Sequence, residues 1–473
     1  MDVYVALKIT TAKASTKERE SKILEHLSNR QLDHPGRKHV TTLLDFFEHH
    51  GPNGTHLCLV FDVMGPNSAA MFNRLPRSLR PPYPKLEGPG AWARGRYPLW
   101  MAKSVLRQTL LGIDFMHKCD VAHGDMQPGN ILFSVKDLSS LSESELADDD
   151  PLGKAFTKTV NDDGEVEFHH LEAQKTEIQS SDRYGQSSDD SVPQTIFAAS
   201  SMITYVDLDP PLLIKISDLG GAFFVSEPPA KPVTPLGLRS PELILGEPIG
   251  QAQDIWSFGC LIFEFLAGRM MFSIMPPMAS DWMDDVSPRK SEKEDDKPRE
   301  EHHHIGSLEK DDHKHGEGPD VAITPNRDDT IANFRHVGDN SQEDDIVTPD
   351  TDSETDDEHI LQMADILGPI PPYFLSRFSR SHLYFNRSGE IINRWISPPD
   401  DAEQQDIDDV AEQHLPALEA YLDREKGADL DEDEAIIVKG LLRTILQFDP
   451  TRRPSASELL AHPWFAEPAA KAV

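Results

Sequence analysis

Cysteine is scarce in this chain. There are three in 473 residues, Cys58, Cys119 and Cys260, each in an apolar context and with no CxxC pair. That usage argues against a disulfide framework and for reduced, packed thiols in a cytosolic or nuclear protein. Long apolar runs are also missing. The longest, Ile255 to Ala267, is interrupted by Glu264 and too short to span a bilayer, so it reads as a buried core helix. No signal peptide is visible, because the N-terminus reads as a strand followed by a charged helix. Basic residues are in deficit, with 46 Lys and Arg against 81 Asp and Glu and a formal charge of −35. Direct nucleic-acid binding is not expected at that balance. The hydrophobic fraction of 38% is low for a fully globular chain of this length, so part of the length lies outside a core.

The charge is unevenly placed. Between Asp281 and Glu358 there are 26 acidic and 9 basic residues, a net of −17, about half of the total. Such a stretch reads as a solvated, disordered segment, with an acidic surface for basic partners as the functional alternative. Around it the chain alternates between patterned and unpatterned blocks. Val3 to Ile9 predicts a strand. Ser15 to Leu27 predicts a helix with Ile23, Leu24 and Leu27 on one face. Val40 to Glu48 and Thr55 to Val63 predict strands around the turn Gly51-Pro52-Asn53-Gly54. Leu99 to His117 predicts a strong amphipathic helix. Residues 135–211 are rich in Ser, Asp and Gln and read as an insertion. A strand at Leu212 to Ile216 ends in Ser217-Asp218-Leu219-Gly220, residues 274–356 form a second insertion, and helical patterns return from His359 to Phe465. There are no internal repeats. Two insertions therefore separate three ordered blocks of one bilobal domain.

The chemistry concentrates in His123-Gly124-Asp125-Met126-Gln127-Pro128-Gly129-Asn130, directly after the amphipathic helix and before the apolar Ile131-Leu132-Phe133. An Asp and an Asn five residues apart let one loop present a proton-accepting carboxylate and a metal-binding amide on the same side.

In ordered company, these motifs resemble a protein kinase catalytic domain. Within that superfamily they resemble the SR-protein-specific kinases of the CMGC group, as a divergent, fungal-type member with an incomplete small lobe. Val5-Ala6-Leu7-Lys8 is similar to the strand that supplies the ATP lysine, and Glu20 to its ion-pair partner. Asn53 to Gly65 resembles the hinge segment, with Phe61 as gatekeeper. Asp218-Leu219-Gly220 resembles the metal-binding DFG motif. Arg239-Ser240-Pro241-Glu242 resembles the end of the activation segment, with Arg453 as the buried partner of its glutamate. Asp254 to Gly259 resembles the core helix that anchors the catalytic loop. The insertion between Asn130 and Asp218 lies where this family carries its spacer.

The resemblance implies an α+β, bilobal kinase fold: a small β-rich lobe without the glycine-rich strands and a larger helical lobe, with two disordered insertions. The blocks are then 1–134 through the catalytic loop, the spacer 135–211, the metal loop and core helix 212–273, the acidic insertion 274–356, and 357–467. It implies a serine/threonine kinase using ATP and Mg²⁺. Lys8 would hold the α- and β-phosphates and Glu20 would fix Lys8. Asp218 would carry Mg²⁺ and Asn130 a second ion, since hard oxygen donors suit that cation. Asp125 would accept or orient the substrate hydroxyl's proton. Ala6 and Leu132 would sandwich the adenine beside Phe61, and the backbone of Asp62 and Met64 would read its edge. Each also has a plainer reading: an edge-strand lysine, a turn aspartate, a loop carboxylate, packed apolar residues.

Three departures bear on activity. No glycine-rich loop precedes Val3, which would leave the first strand an unprotected edge; a clipped gene model is the expected explanation. Gln127 stands where a lysine is usual. An amide donates a hydrogen bond but neutralises no charge, and losing one such contact costs about 10²–10³ in rate. Pro235 occupies the position, seven before Glu242, where a threonine is usual. Gly124 is different in kind. The SR-protein kinases also lack an Arg there, so activity is expected not to require activation-loop phosphorylation.

For substrates, the resemblance implies protein Ser/Thr, with Arg/Ser-rich, splicing-type proteins as the narrower expectation. Glu358 and Asp365 would be groove acids, or alternatively a solvated helix face. Arg269 lies where another groove acid is usual and would repel Arg-rich substrates. His302 to His304 imply no fixed metal geometry. Ser287-Pro288, Thr324-Pro325 and Thr348-Pro349 are sites of the kind other kinases modify. A monomer with no membrane association, cytoplasmic or nuclear, is expected. The alternative reading is a pseudokinase scaffold with weak or no transfer that binds basic partners. Retention of Lys8, Glu20, Asp125, Asn130 and Asp218 together favours the enzyme.

Overall fold

The first strand follows from alternation. In a computed structural model of the chain, β1 (Val5–Ile9) turns Ala6 and Lys8 to one side and Val5, Leu7 and Ile9 to the other. The structure describes residues 4–15, 19–51, 54–76, 79, 96–142, 145–146, 202–208, 212–274, 351–394 and 416–466, plus four short strands between 156 and 197. Contacts divide the chain into Met1–Met275 with Thr348–Val473, and Pro276–Val347. His302 to His304 and the three Ser/Thr-Pro sites lie outside the described residues, as do Val3 and Asn53.

Strands β1, β2 (Leu43–Gly51) and β3 (Gly54–Asp62) make an antiparallel sheet in the order β1-β3-β2. The register sets Lys8 opposite Leu59 and Ala6 opposite Phe61. Leu59 and the helix α1 (Arg19–Asn29), through Ile23, Leu24 and Leu27, build a small core with Phe115, Met116 and Leu219. These are the three apolar positions that the helical spacing predicted. Val5, Leu7 and Ile9, about half exposed, line the edge strand.

A second antiparallel sheet follows: β4 (Met64–Asn67) pairs with β6 (Ile131–Ser134), which pairs with β7 (Ile214–Ile216). The helix α2 (Leu99–Lys118) lies behind it, and the two-residue β5 (Val121–Ala122) pairs with β8 (Phe223–Phe224). The predicted buried run is α3 (Gln251–Ala267), with Trp256, Phe258, Phe263 and Phe265 fully buried. Around it pack α4 (Thr351–Leu367), α5 (Leu418–Glu425) and α6 (Glu432–Ile445). All three cysteines are buried and free.

Val135 bridges Val206 antiparallel, and the Lys136 N–H donates to the Tyr205 carbonyl. Val206 also fills the space a side chain at Gly65 would need: a Cβ there would lie 2.9 Å from the valine methyl. No helix among the described residues is long and apolar enough to cross a membrane.

Candidate active site

The site lies between the two sheets. Lys8 leaves β1 on the side that faces α1, and its ammonium bonds both carboxylate oxygens of Glu20 at 2.8 and 3.0 Å. It also reaches Asp218 Oδ1 at 2.7 Å. Burial alone would lower the lysine pKa; the charges of Glu20 and Asp218 outweigh it and hold the ammonium above its ordinary value. For Asp218 burial would favour the protonated acid, but Lys8 outweighs it and keeps the carboxyl below its usual range. Asp218 has φ of 58° and opens a tight turn in which the Gly220 N–H also points to Oδ1.

The loop after α2 is held from beneath. Buried Asp254, at the start of α3, accepts from the His123 N–H at 2.8 Å, the Gly124 N–H at 2.9 Å and His117 Nε2 at 2.9 Å. Burial would raise its pKa, but the His117 bond and charge reverse this and keep it ionised. His123 Nδ1 accepts from the Asp125 N–H, which places the ring proton on Nε2, facing the Ser217 carbonyl at 3.1 Å. One imidazole thus couples the loop to the segment carrying Asp218.

Asp125 is 6% exposed, and its carboxylate is clamped. Gln127 Nε2 donates to Oδ1 at 2.8 Å and Oδ2 at 2.9 Å. Asn130 Nδ2 donates to Oδ2 at 2.9 Å and to the Asp125 carbonyl at 2.8 Å. With its nitrogen so used, Asn130 offers Oδ1 to a cation, and Asp218 offers the oxygen that Lys8 does not bind. Two hard donors of this kind, completed by phosphate oxygens and water, fit Mg²⁺. Among the described residues no group of three or more His, Cys, Asp or Glu side chains could hold a metal alone.

Ala6 and Phe61 are neighbours across β1 and β3, while Met64 and Leu132 lie on β4 and β6. The Asp62 side chain pairs with Lys215 at 2.8 Å. Glu242 and Arg453 form a bidentate pair at 2.6 and 2.7 Å, almost wholly buried.

Sequence reasoning missed Thr234. Pro235 does hold the expected threonine position, but its neighbour turns a buried hydroxyl to the Gly124 carbonyl at 2.6 Å. The activation segment therefore still touches the loop, one residue away from Asp125. Gly124 also gains a steric reason. Its φ is +75°, and a Cβ there would lie 2.5 Å from the Gly221 carbonyl oxygen.

The two acids expected to line a substrate groove differ. Glu358 is partly exposed and accepts from Gln362 at 2.7 Å. Asp365 is nearly buried in a bidentate pair with Arg394, at 2.7 and 2.5 Å. Arg269 is bonded to Glu425 at 3.1 Å rather than standing alone.

A family model described as protein kinase domain matches residues 2–147 and 202–368. The chain belongs to the protein kinase family. Protein kinase dsk1 of Schizosaccharomyces pombe is 25% identical over 330 residues, 57% of each chain. The serine/threonine-protein kinase SRPK of Physarum polycephalum is 25% identical over 468 residues, 98% of this chain and 80% of that one. The serine/threonine-protein kinase SKY1 of Saccharomyces cerevisiae is 34% identical over 147 residues, 30% of this chain and 18% of that one. The kinase chain described above thus spans little more than half of the first of these relatives.

Proposed function

We propose that this chain is a serine/threonine protein kinase that transfers the γ-phosphate of ATP to hydroxyls of protein substrates. The observation that carries the reading is the Lys8 ammonium bonded at once to Glu20 and Asp218. It joins the first strand and the helix that follows it to a turn 210 residues further on in one charged centre. Lys8 would take the α- and β-phosphates, with Glu20 fixing it. Mg²⁺, held by Asp218 and Asn130, would neutralise phosphate charge. Asp125, aimed by the loop, would receive the proton of the substrate hydroxyl. Ala6, Phe61 and Leu132 would enclose the base, and the backbone of Asp62 and Met64 would bond its edge.

The finer parts of the proposal are Arg/Ser-rich or otherwise basic substrates, a monomer, residence in cytoplasm or nucleus, and the block boundaries given above. The name of the Physarum relative, SRPK, and the partly exposed Glu358 support the substrate class. Asp365 would serve only by exchanging Arg394 for a substrate arginine. Free, buried cysteines support a reducing compartment.

The test is phosphotransfer by the full chain from Mg-ATP to an Arg/Ser repeat peptide, alongside thermal denaturation with and without Mg-ATP. Labelling lost in Lys8→Met supports the enzyme. A Mg-ATP-dependent rise in melting temperature without labelling supports the scaffold, and neither effect sinks both nucleotide-dependent readings.

A further inference from the structure

The loop from His123 to Asn130 is held at both ends. Asp254 fixes the Gly124 end. At the other end the chain makes a one-turn 3₁₀ helix, Pro128–Asn130, which presents Asn130. The Pro128 carbonyl closes that turn by accepting the Ile131 N–H, and it also takes the Ser68 hydroxyl at 2.7 Å. A carbonyl oxygen has two lone pairs, so both bonds can stand together. Ser68 is fully buried. The hydroxyl of Tyr97, also fully buried, donates to the Ser68 carbonyl at 2.7 Å. A buried chain of hydrogen bonds thus runs from Tyr97 through Ser68 to the turn that carries Asn130.

Ser68 follows β4 directly, and Met64, whose backbone would bond the edge of the base, lies four residues earlier. Asn67 ends β4 and caps the short helix Ser68–Arg74 by accepting from the Ala70 N–H at 2.8 Å, which fixes where Ser68 sits. Beyond the turn, the Asn130 carbonyl accepts the N–H of Ser217 at 2.8 Å and its hydroxyl at 3.2 Å, next to Asp218. We propose that Ser68, oriented by Tyr97, is a positioning residue that holds Asn130 at a fixed spacing from the base-reading segment. This role rests on the phosphotransfer reading above, in which Asn130 is the second metal ligand. Without the Ser68 hydroxyl the turn keeps only its own bonds, and the Asn130 amide loses its fixed aim. The base pocket and the metal loop are then no longer tied to one another.

Two measurements on the full-length protein separate this inference from the function it rests on. The first needs no nucleotide: amide hydrogen exchange of residues 126–134, read by mass spectrometry. In Ser68→Ala the Asn130 and Ile131 amides, whose bonds close the turn, should exchange about three- to tenfold faster, the range one buried hydrogen bond supports. Tyr97→Phe should move the same way by less. The second is calorimetric affinity for ADP, in EDTA and at saturating Mg²⁺. Ser68→Ala should leave the affinity in EDTA within about twofold of wild type and cut the gain from Mg²⁺ by about three- to tenfold. A merely structural Ser68 predicts a lower melting temperature with an unchanged gain from Mg²⁺. That result overturns the inference even if the protein is an active kinase, and so does unchanged exchange in Ser68→Ala. Faster exchange in Ser68→Ala, with a wild type that binds no ADP, upholds the anchoring of the turn and overturns the functional reading.

Discussion

Asp125 is the residue on which the proposed chemistry turns, because its carboxylate is both buried and aimed. Asp125→Asn keeps the shape and removes the proton acceptor. Its expected effect is a fall in kcat of about 10²–10⁴, with the Mg-ATP thermal shift retained, since Asp125 is not placed on the nucleotide. Loss of both together would mean that Asp125 supports the nucleotide site instead. His359 gives a different residue-scale prediction. Burial, reinforced by the charge of Arg239, pushes its imidazole pKa down to about 3, and Nε2 is buried without a hydrogen-bond partner. Unfolded, the same ring titrates near 6.5. The unfolded chain therefore binds a proton that the folded chain refuses. The contribution is fully present above about pH 6.5 and is lost as pH falls toward 3, by at most about 1.4 kcal/mol per unit. His39, lowered to about 4 by burial, acts with the same sign. His359→Phe should flatten the fall in melting temperature between about pH 6.5 and 4.5 without abolishing it. An unchanged slope would remove His359 from the account.

At the scale of elements, the activation segment meets the catalytic loop in two close contacts: Thr234 to the Gly124 carbonyl, and Gly124 against Gly221. Thr234→Val should lower kcat with little change in KM for ATP, and Thr234→Ser should recover most of it. Equal damage from both would point to packing rather than the hydroxyl. Gly124→Arg should destabilise by about 1–3 kcal/mol, because a side chain there meets both a left-handed backbone and a carbonyl oxygen. No guanidinium stands at position 124 to collect a loop phosphate, so phosphatase treatment should leave activity unchanged.

These contacts also mark the limit of what the sequence disclosed. Ile23, Leu24 and Leu27 were legible because helical spacing is local. Lys8, Glu20, Asp125, Asn130 and Asp218 were legible because their residue types and order are demanding. The Thr234 bond was not, because a one-residue offset from Pro235 changes meaning only once the loop's path is known. Nor was the pairing of Asp365 with Arg394, since an acid on a helix face reads the same whether solvent or an arginine 29 residues away covers it.

For the whole molecule, the buried Glu242–Arg453 pair joins the end of the activation segment to the last helical region. Its guanidinium also lies over Trp256 at 5.0 Å and donates to the carbonyls of Gln447 and Ala252. Removing one partner leaves an uncompensated buried charge. Arg453→Met should therefore cost about 3–5 kcal/mol in urea denaturation, and adding Glu242→Leu should recover part of that. A loss below about 1 kcal/mol would show that solvent enters the pair. A second long-range tie has Asp114 of α2 accepting from Ser457 and Lys118, with His34 Nε2 at 2.9 Å. It links the loop after α1 to the C-terminal region, so the lobes share more than the hinge.

The bridge between Val135 and Val206 has a consequence of its own. It brings residues separated by 70 others in the sequence together as neighbours across an isolated β-bridge. Once such a gate is shut, loop entropy grows only logarithmically with length, about 0.6 kcal/mol per doubling. The place is thus an open port in the architecture. Sequence can be lengthened, shortened or exchanged there over generations, or replaced at the bench by a reporter domain, while the catalytic frame keeps its shape.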